Sequence, residues 1–358
     1  MKIITIIGAR PQFIKAAVVS QAIRNRAANG TDIQESILHT GQHYDYSMSD
    51  LFFEQLNIPA PKWHLECGND VAQMKQSITP ILQSERPDIV IVYGDTYSTL
   101  SGAEAAHELQ IPVAHIESGL RSFNNTMPEE RNRIATDKIA RWLFCPTKNA
   151  VQNLHNEGYQ NGIHLVGDVM YDAALAFTPD ETKQNDILSL YHLQSKQFIL
   201  ATMHRAATAD NVQALTNIIK ALALTDSPVI LPLHPHTAKT VNANPSLIQL
   251  INEAKNIRVI EPLGYIETLV LERHARLIMT DSGGMQKEAY FQRTPCITLR
   301  EETEWTETVL AGWNHLAGTQ TENILKAIKQ PFDRHLITEY GDGHCAEQII
   351  RILCQNEY

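Results

Sequence analysis

The sequence predicts an α/β protein with two Rossmann-like, doubly wound domains facing a cleft. Short apolar runs typical of strands alternate with longer helix-like segments through nearly all of the 358 residues. This alternation predicts βαβ units and hence parallel sheets. It occurs in two series that separate near residue 170, and a chain of this length exceeds one typical core.

The first series forms the predicted N-terminal domain, residues 1–170. Strands are predicted at 2–7, 35–39, 88–93, 111–116, 142–145 and 163–166. Helices are predicted at 12–27, 70–84, 98–109 and 130–140. Because strand and helix alternate, we expect these segments to build one parallel sheet.

The second series forms the predicted C-terminal domain, residues 171–344. The polar stretch Pro179–Asp186 is expected to be a loop at the start of this half. Strands are predicted at 198–203, 228–233, 257–260, 276–280 and 295–299. Helices are predicted at 211–224, 266–273, 284–291, 305–311 and 322–329.

Composition excludes several classes of protein. With 43% hydrophobic and 20% charged residues, the chain can bury sizeable cores and is not expected to be disordered. A formal net charge of −10 argues against a nucleic-acid partner. The first residues have a strand pattern and no run of 18 apolar residues occurs, so we expect a cytoplasmic protein without a membrane partner. The five cysteines are widely spaced, which predicts free thiols.

Three acidic residues follow, or lie close to, strand-like runs in the first half. Asp95 and Glu117 come directly after such runs, and Glu129 lies at the start of a predicted helix. Because the carboxyl ends of parallel strands open into one crevice, these acids can converge on one substrate, which predicts proton-transfer chemistry. Alternatively, Asp95 could cap the helix that follows, and Glu129 could simply favour the first turn of its helix.

The turn after the first predicted strand is compatible with phosphate binding. Gly8 leads into a helix that carries Arg10 and Lys15 in its first turns. We expect free N–H groups at this helix start, where an anion is favoured. The segment lacks the Gly-x-Gly-x-x-Gly pattern, so no dinucleotide cofactor is predicted.

A second turn of this kind occurs in the second half. Ser282, Gly283 and Gly284 follow a predicted strand and begin a helix. The glycines allow the backbone to approach a phosphate closely, and Glu288, one helical turn further on, could accept hydrogen bonds from ribose hydroxyls. One such turn is commonly only a tight connection, whereas two turns across a cleft favour a diphosphate ligand.

Two histidines also lie at predicted strand ends, His204 and His234. This position makes them better candidates for a functional role than the other histidines of the chain. The pair His234 and His236, with His43, could in principle join Asp95 and Glu117 around a metal. However, no metal-type histidine spacing on one helix and no Asp-x-Asp pair accompanies them. No metal site is therefore predicted.

Eight segments, in order over nearly the whole chain, closely resemble the non-hydrolysing UDP-N-acetylglucosamine 2-epimerases. They are Gly8–Lys15, Gly41–His43, Gly94–Thr96, His115–Arg121, Pro128–Arg133, His204–Arg205, Thr280–Glu288 and Tyr340–Gly343. The resemblance implies a GT-B-type fold, usually as a homodimer, whose final helix (residues 345–358) packs back on the first domain. It also implies a reaction without a redox cofactor, in which UDP is eliminated to leave a glycal and is then added back.

The resemblance implies roles for individual residues. Asp95, Glu117 and Glu129 match the family's catalytic carboxylates, with His204 and Arg133 assisting them. The predicted substrate-binding residues are Arg10, Lys15, Gln42, His43, Arg205, His234, Ser282, Gly283, Gly284 and Glu288.

The sequence departs from the family pattern at several places. Relatives activated by a second substrate molecule typically have Gln-His-Arg and His-Arg-Arg-Glu runs, whereas Tyr44 follows His43 here and Ala206 follows Arg205. This argues against allosteric activation by substrate. The segment Arg300–Val309 looks more like relatives that act on UDP-2,3-diacetamido-2,3-dideoxy-glucuronate in surface-polysaccharide pathways, so this substrate ranks close behind or level with UDP-N-acetylglucosamine.

Three other activities stay open at this point. A GT-B glycosyltransferase would share the fold and the nucleotide grip but would need an acceptor site. A hydrolysing 2-epimerase would release free sugar and UDP. A non-catalytic nucleotide-sugar sensor would not need three acids.

Overall fold

The computed structural model describes residues 1–42 and 50–355, and it gives no side-chain detail for residues 50 and 51. The chain divides into two compact units. Unit 1 contains Met1–Ala176 and Thr338–Tyr358, and unit 2 contains Phe177–Ile337. The first segment of unit 1 ends at Ala176, close to the boundary near residue 170 that the sequence predicts.

In the described part of unit 1, seven parallel strands form one sheet in the order β3-β2-β1-β4-β5-β6-β7. The strands are β1 (Lys2–Ile7), β2 (Gln34–His39), β3 (Trp63–His64), β4 (Ile89–Tyr93), β5 (Val113–Ile116), β6 (Trp142–Cys145) and β7 (Ile163–Leu165). The central strands are buried on both faces, as parallel strands covered by helices are. The order of the strands reverses between β1 and β4, because β2 and β3 lie on one side of β1 and the later strands lie on the other. Ligands of doubly wound folds bind at such a point.

The helices of unit 1 cover the two faces of this sheet. They are α1 (Arg10–Ala28), α2 (Asp50–Gln55), α3 (Val71–Glu85), α4 (Tyr97–Glu108), α5 (Pro128–Ile139), α6 (Lys148–Asn156), α7 (Val169–Phe177) and α17 (Cys345–Gln355). The last of these, α17, packs against α1 and buries Ile349, Ile350 and Leu353. Each such side chain contributes about 1.5–3 kcal/mol through burial.

Unit 2 repeats the architecture with six described parallel strands in the order β10-β9-β8-β11-β12-β13. The strands are β8 (Ile199–Thr202), β9 (Val229–Pro232), β10 (Ile257–Ile260), β11 (Leu277–Thr280), β12 (Cys296–Thr298) and β13 (Asn314–Leu316). The helices are α8 (Glu181–Leu190), α9 (Ala206–Ala209), α10 (Val212–Ala223), α11 (Pro235–Asn242), α12 (Pro245–Glu253), α13 (Tyr265–His274), α14 (Gly283–Phe291), α15 (Thr306–Leu310) and α16 (Thr321–Lys329). The prediction of two Rossmann-like, doubly wound domains is confirmed.

The expected loop over Pro179–Asp186 is wrong, because α8 begins at Glu181. Asp180 caps this helix by accepting a hydrogen bond from the Lys183 amide at 2.9 Å. Ile187 and Leu188 then anchor the helix in the core of unit 2. The N-terminal half of α8 is polar and its apolar contacts lie in its C-terminal half, so the sequence pattern did not indicate a helix.

Between Met1 and Gln355, leaving out residues 43–49, the structure has no helix that is both long and apolar enough to cross a membrane. Four of the five cysteines are buried and Cys354 is half-buried, and none of the five is disulfide-bonded, as predicted. Burial raises the pKa of the Cys145 thiol to about 12.

Candidate active site

Asp95 lies in the turn that follows β4. The Gly94 amide donates to the Ile116 carbonyl at 2.8 Å, which ties this turn to the end of β5. The Asp95 carboxylate pairs with the guanidinium of Arg133 on α5. The cap of α4 is Thr96, whose Oγ1 accepts from the Thr99 amide at 3.3 Å. Thr96, and not Asp95, therefore caps α4, so the alternative role of Asp95 as a helix cap is wrong.

Glu117 lies directly after β5, with a backbone φ of +73°. A positive φ is uncommon for a residue other than glycine, and here it turns the chain sharply at the strand end. The Glu117 Oε1 lies 2.7 Å from Lys15 Nζ, and both side chains are almost buried. A Cβ at Gly94 would lie 3.2 Å from Lys15 Nζ and 3.4 Å from Glu117 Oε1, so the turn after β4 passes directly over this ion pair.

The first turn of α5 carries two adjacent acids with different surroundings. Glu129 is exposed, whereas Glu130 is 1% exposed. Glu130 accepts from the amides of Ser122 at 2.9 Å and Phe123 at 3.1 Å, and from Arg133 Nη1 at 2.9 Å. Arg133 thus pairs with Glu130 on its own helix and with the strand-end acid Asp95 as well. Glu130 was not assigned a functional role from the sequence.

The turn after β1 differs from the expectation of free amides. Gln12 Oε1 accepts from the Gly8 amide at 2.9 Å and the Ala9 amide at 3.0 Å, so this part of the prediction is wrong. The physical reason is capping, since a glutamine near the start of a helix can reach back to the amides that precede it. The Arg10 guanidinium lies over the Phe52 ring, 4.9 Å from its centroid.

Gln42 is part of the support of α4. Its Oε1 accepts from the amide and the hydroxyl of Ser98, at 3.1 Å and 2.8 Å. These bonds occupy the amide oxygen of Gln42, so any ligand contact would come from its NH₂ group. The other residue predicted in this segment, His43, lies outside the described residues.

In unit 2, the buried carboxylate of Asp281 organises the candidate residues after β8. Asp281 follows β11 and accepts from the amides of His204 at 3.1 Å and Arg205 at 3.0 Å. Its Oδ1 also lies 3.5 Å from His204 Nδ1. Asp281 was not assigned a role from the sequence, although an acid directly after a strand was the signal used for Asp95.

His234 lies at the end of β9, beside His204. Its Nδ1 accepts from the His236 amide at 3.2 Å and so caps α11. The two rings of His204 and His234 have their centroids 5.6 Å apart. The two predicted strand-end histidines are therefore neighbours.

The start of α14 forms an anion-binding geometry. Ser282 caps the helix by accepting from the Met285 amide at 3.4 Å. The amides of Gly283 and Gly284 are the first two of the helix and have no partner within it, so they are suited to a phosphate. A Cβ at Gly283 would lie 3.2 Å from Arg205 Nη2, which places that guanidinium beside the helix start.

Acidic residues also lie near this helix start. Glu288 is 7% exposed on α14. Glu304 Oε1 lies 3.8 Å from Arg205 Nη2 and 3.0 Å from Arg300 Nη2. Burial would raise the pKa of Glu304, but the hydrogen bonds from Arg300 and the charges of both arginines lower it. Glu304 is therefore an ionised carboxylate that pairs with Arg205.

The structure thus brings Asp95, Glu117, Lys15 and Arg133 to one sheet edge in unit 1. In unit 2 it brings together His204, Arg205, His234, Ser282 and Gly283. Glu129 is placed on the helix that carries Arg133, without a described contact to the other acids.

Comparison with known proteins agrees over nearly the whole chain. The profile of a family described as UDP-N-acetylglucosamine 2-epimerase matches residues 25–354. A UDP-N-acetylglucosamine 2-epimerase homolog of Methanococcus maripaludis is 46% identical over 361 residues, which cover 99% of each chain. The UDP-2,3-diacetamido-2,3-dideoxy-D-glucuronate 2-epimerase of Pseudomonas aeruginosa is 44% identical, with 99% of this chain and 100% of that one covered. The crystal structure of Methanocaldococcus jannaschii UDP-GlcNAc 2-epimerase in complex with UDP-GlcNAc and UDP has a TM-score of 0.90 at 39% identity, covering 99% of this chain and 100% of that one.

Proposed function

Because the chain belongs to the UDP-N-acetylglucosamine 2-epimerase family, we propose that it is a non-hydrolysing 2-epimerase of a UDP-2-acetamido sugar. The resemblance identified from the eight sequence segments is confirmed. The observation that carries the proposal is the arrangement of Asp95 and Glu117. They leave neighbouring strands at one sheet edge, and each contacts a cation from a different helix.

The chemistry explains why carboxylates and an anion site are needed together. The C2–H bond of an acetamido sugar is not adjacent to a carbonyl group, so direct removal of this proton is very difficult. If the C1–O bond to UDP breaks first, the developing positive charge at C1 acidifies the C2 proton. A carboxylate takes that proton, which leaves a glycal and UDP. Protonation of C2 from the opposite face and return of UDP to C1 complete the inversion.

Unit 1 supplies the proton-transfer groups in this proposal. Asp95, Glu117 and Glu129 handle the proton at C2, since carboxylates positioned within hydrogen-bond reach typically contribute about 10²–10⁴-fold to a rate. Arg133 orients Asp95 through their ion pair. Lys15 holds Glu117 in the same way. Arg10 keeps its predicted role in binding the diphosphate.

Unit 2 supplies the grip on UDP. The amides of Gly283 and Gly284 and the side chain of Ser282 are suited to the diphosphate, whose charge grows as the C1–O bond breaks. His204 and Arg205 add donors beside that helix start, and His234 lies next to His204. Glu288 accepts from the ribose hydroxyls.

Two substrates are candidates, UDP-N-acetylglucosamine and UDP-2,3-diacetamido-2,3-dideoxy-glucuronate. The identities do not separate the two, since the M. maripaludis UDP-N-acetylglucosamine 2-epimerase homolog is 46% identical to this chain and the P. aeruginosa relative named for the second substrate is 44% identical. The segment Arg300–Val309 favours the second. The product of either reaction would serve surface-polysaccharide synthesis. We further propose a homodimer, which light scattering of the purified protein tests.

The activity is tested by incubating the protein with each UDP-sugar separately and following the products by NMR. We expect one substrate to give a mixture of C2 epimers that are still attached to UDP, and the same mixture from either epimer. Release of free sugar and UDP would instead identify a hydrolysing enzyme. Sugar transfer that requires an added acceptor would identify a glycosyltransferase, and binding without turnover of either substrate would identify a sensor.

A further inference from the structure

A buried charged network lies behind the carboxylates of unit 1. His115 on β5 is fully buried, and both of its ring nitrogens have partners. Nδ1 lies 2.7 Å from Asp137 Oδ1, and Nε2 lies 2.7 Å from the Gly94 carbonyl oxygen. A carbonyl oxygen can accept a hydrogen bond but cannot donate one, and the same is true of an ionised carboxylate. Both nitrogens of His115 must therefore donate, which makes the ring an imidazolium.

The surroundings of Asp137 agree with this charge. Its Oδ2 accepts from Arg121 Nη2 at 2.8 Å and from the Gly119 amide at 3.2 Å. Burial would raise the pKa of Asp137, but the hydrogen bond from His115 and the charges of His115 and Arg121 outweigh burial and lower it. Arg121 in turn donates to both oxygens of Glu157, at 2.6 Å and 2.8 Å. Two cations and two anions thus balance each other, as buried charges must.

The network reaches every segment that carries a candidate catalytic acid. Gly94, which His115 holds, immediately precedes Asp95. Gly119, whose amide Asp137 accepts, is two residues beyond Glu117. Asp137 itself lies on α5, the helix whose first turn carries Glu129. One carboxylate therefore connects the turn after β4, the turn after β5 and the helix α5.

We propose that Asp137 and His115 are positioning residues for the epimerase reaction, and that His115 does so as a buried imidazolium that fixes the Gly94 carbonyl. The inference rests on the proposed function, because it assigns the network to the geometry of the three acids. Both side chains are fully buried, so they act through the backbone segments they hold. A displacement of an acid by about 1 Å can cost about 10²-fold in rate, so a contact that fixes these turns affects kcat.

Two substitutions at His115 separate its contacts. Asparagine places an amide NH₂ near the position of Nδ1 and keeps a donor for Asp137, whereas glutamine places its NH₂ near the position of Nε2 and keeps a donor for Gly94. We expect His115→Asn to lower kcat about 10²-fold with little change in KM. His115→Gln retains more activity than His115→Asn, because the donor to Gly94 is kept. Asp137→Asn lowers kcat in the same way as His115→Asn.

The matched control is Glu157→Gln at the far end of the network, where the carboxylate is one-third exposed. It leaves kcat close to that of the wild type, because Arg121 still binds Asp137. UDP affinity and thermal unfolding are measured for every variant. Wild-type kcat in folded His115→Asn and Asp137→Asn would overturn the proposal. A loss of kcat that only follows the folded fraction would overturn it as well.

The charge on His115 is read without substrate, by ¹⁵N NMR of protein labelled in histidine. We expect a His115 ring with protons on both nitrogens at neutral pH, and the assignment comes from the spectrum of His115→Gln. A His115 nitrogen without a proton would contradict the imidazolium. Because this measurement needs no turnover, failure of the proposed function, seen as absent epimerisation by the wild type, is distinguished from failure of the inference.

Discussion

Lys15 Nζ lies 2.7 Å from Glu117 Oε1, and their side chains are only 6% and 10% exposed. The ion pair joins the second turn of α1 to the turn after β5, so it connects the segments that follow two strands of the sheet. Because both groups are removed from water, each depends on the other for charge compensation. The pair therefore supports the fold of this edge and the placement of Glu117 together.

Replacing Lys15 by methionine tests the stability of this arrangement. We expect Lys15→Met to lower the free energy of unfolding by about 3 kcal/mol, since removing one partner of a buried ion pair leaves a costly charge. The measurement is urea unfolding. Lys75→Met is the control, because Lys75 pairs with the half-exposed Glu108 at 2.6 Å and such a pair contributes at most about 1 kcal/mol. Equal effects of the two substitutions would contradict the structural account of Lys15.

Amide replacements at the three acids test their role in proton transfer. We expect Asp95→Asn, Glu117→Gln and Glu129→Gln each to lower kcat by about 10²–10⁴-fold, because an amide cannot accept the C2 proton. Binding of UDP, measured by calorimetry, stays close to that of the wild type, because none of the three acids is among the groups proposed to bind UDP. Glu104→Gln on α4, away from this edge, is the control and leaves kcat unchanged. Wild-type kcat in one of these three variants would show that the replaced acid takes no part in proton transfer.

Asp281 offers a test of the nucleotide grip. Asp281→Ala removes the acceptor of the His204 and Arg205 amides, so we expect UDP affinity to fall by at least about tenfold, the equivalent of one lost charged hydrogen bond. Calorimetric titration with UDP measures the change. Asp210→Ala is the control, because Asp210 is mostly exposed and its carboxylate pairs with His236, which has no proposed role in binding UDP. Unchanged UDP affinity in folded Asp281→Ala would show that these turns do not hold the nucleotide.

Asp172 predicts a pH dependence of stability. Its Oδ2 accepts from the Ala346 amide at 2.7 Å at the start of α17. Burial raises the pKa of Asp172 from 3.8 to about 6. The folded state thus binds more protons than the unfolded state between these values, so stability falls as pH rises through this interval and is constant above it. The loss is at most about 3 kcal/mol.

The contribution is isolated by comparing the wild type with Asp172→Asn, which cannot titrate. Urea unfolding at about pH 4 and about pH 7 gives the difference between the two proteins, in which the other titrating groups cancel. We expect the wild type to lose stability relative to Asp172→Asn as pH rises. A difference that is the same at both pH values would contradict a raised pKa at Asp172.

Much of the fold follows from local sequence patterns. The runs at residues 142–145 and 257–260 are apolar enough to predict β6 and β10 to the residue. The edge strands β3 and β13 were missed. The strands β7 and β12, which are as short as β13, were found within the predicted runs 163–166 and 295–299. Strand length alone therefore does not decide which strands the sequence reveals.

The candidate acids were found from the sequence because strand ends are visible there, but their partners were not. Lys15 was expected to lie beside a bound phosphate, and the structure pairs it with Glu117, which is more than a hundred residues away in the chain. Gln12 likewise occupies amides that were expected to be free. Such pairings depend on which side chains the folded sheet brings together, and no local pattern encodes that.

Exchange of the C2 proton with solvent tests the central claim most directly. The protein is incubated in deuterated water with each of the two UDP-sugars, and C2 is followed by NMR. Elimination and re-addition of UDP predict reversible inversion at C2, with deuterium entering that position while the sugar returns to UDP. Inversion that keeps the original proton at C2, or unlabelled and uninverted substrate in both incubations, would contradict the account.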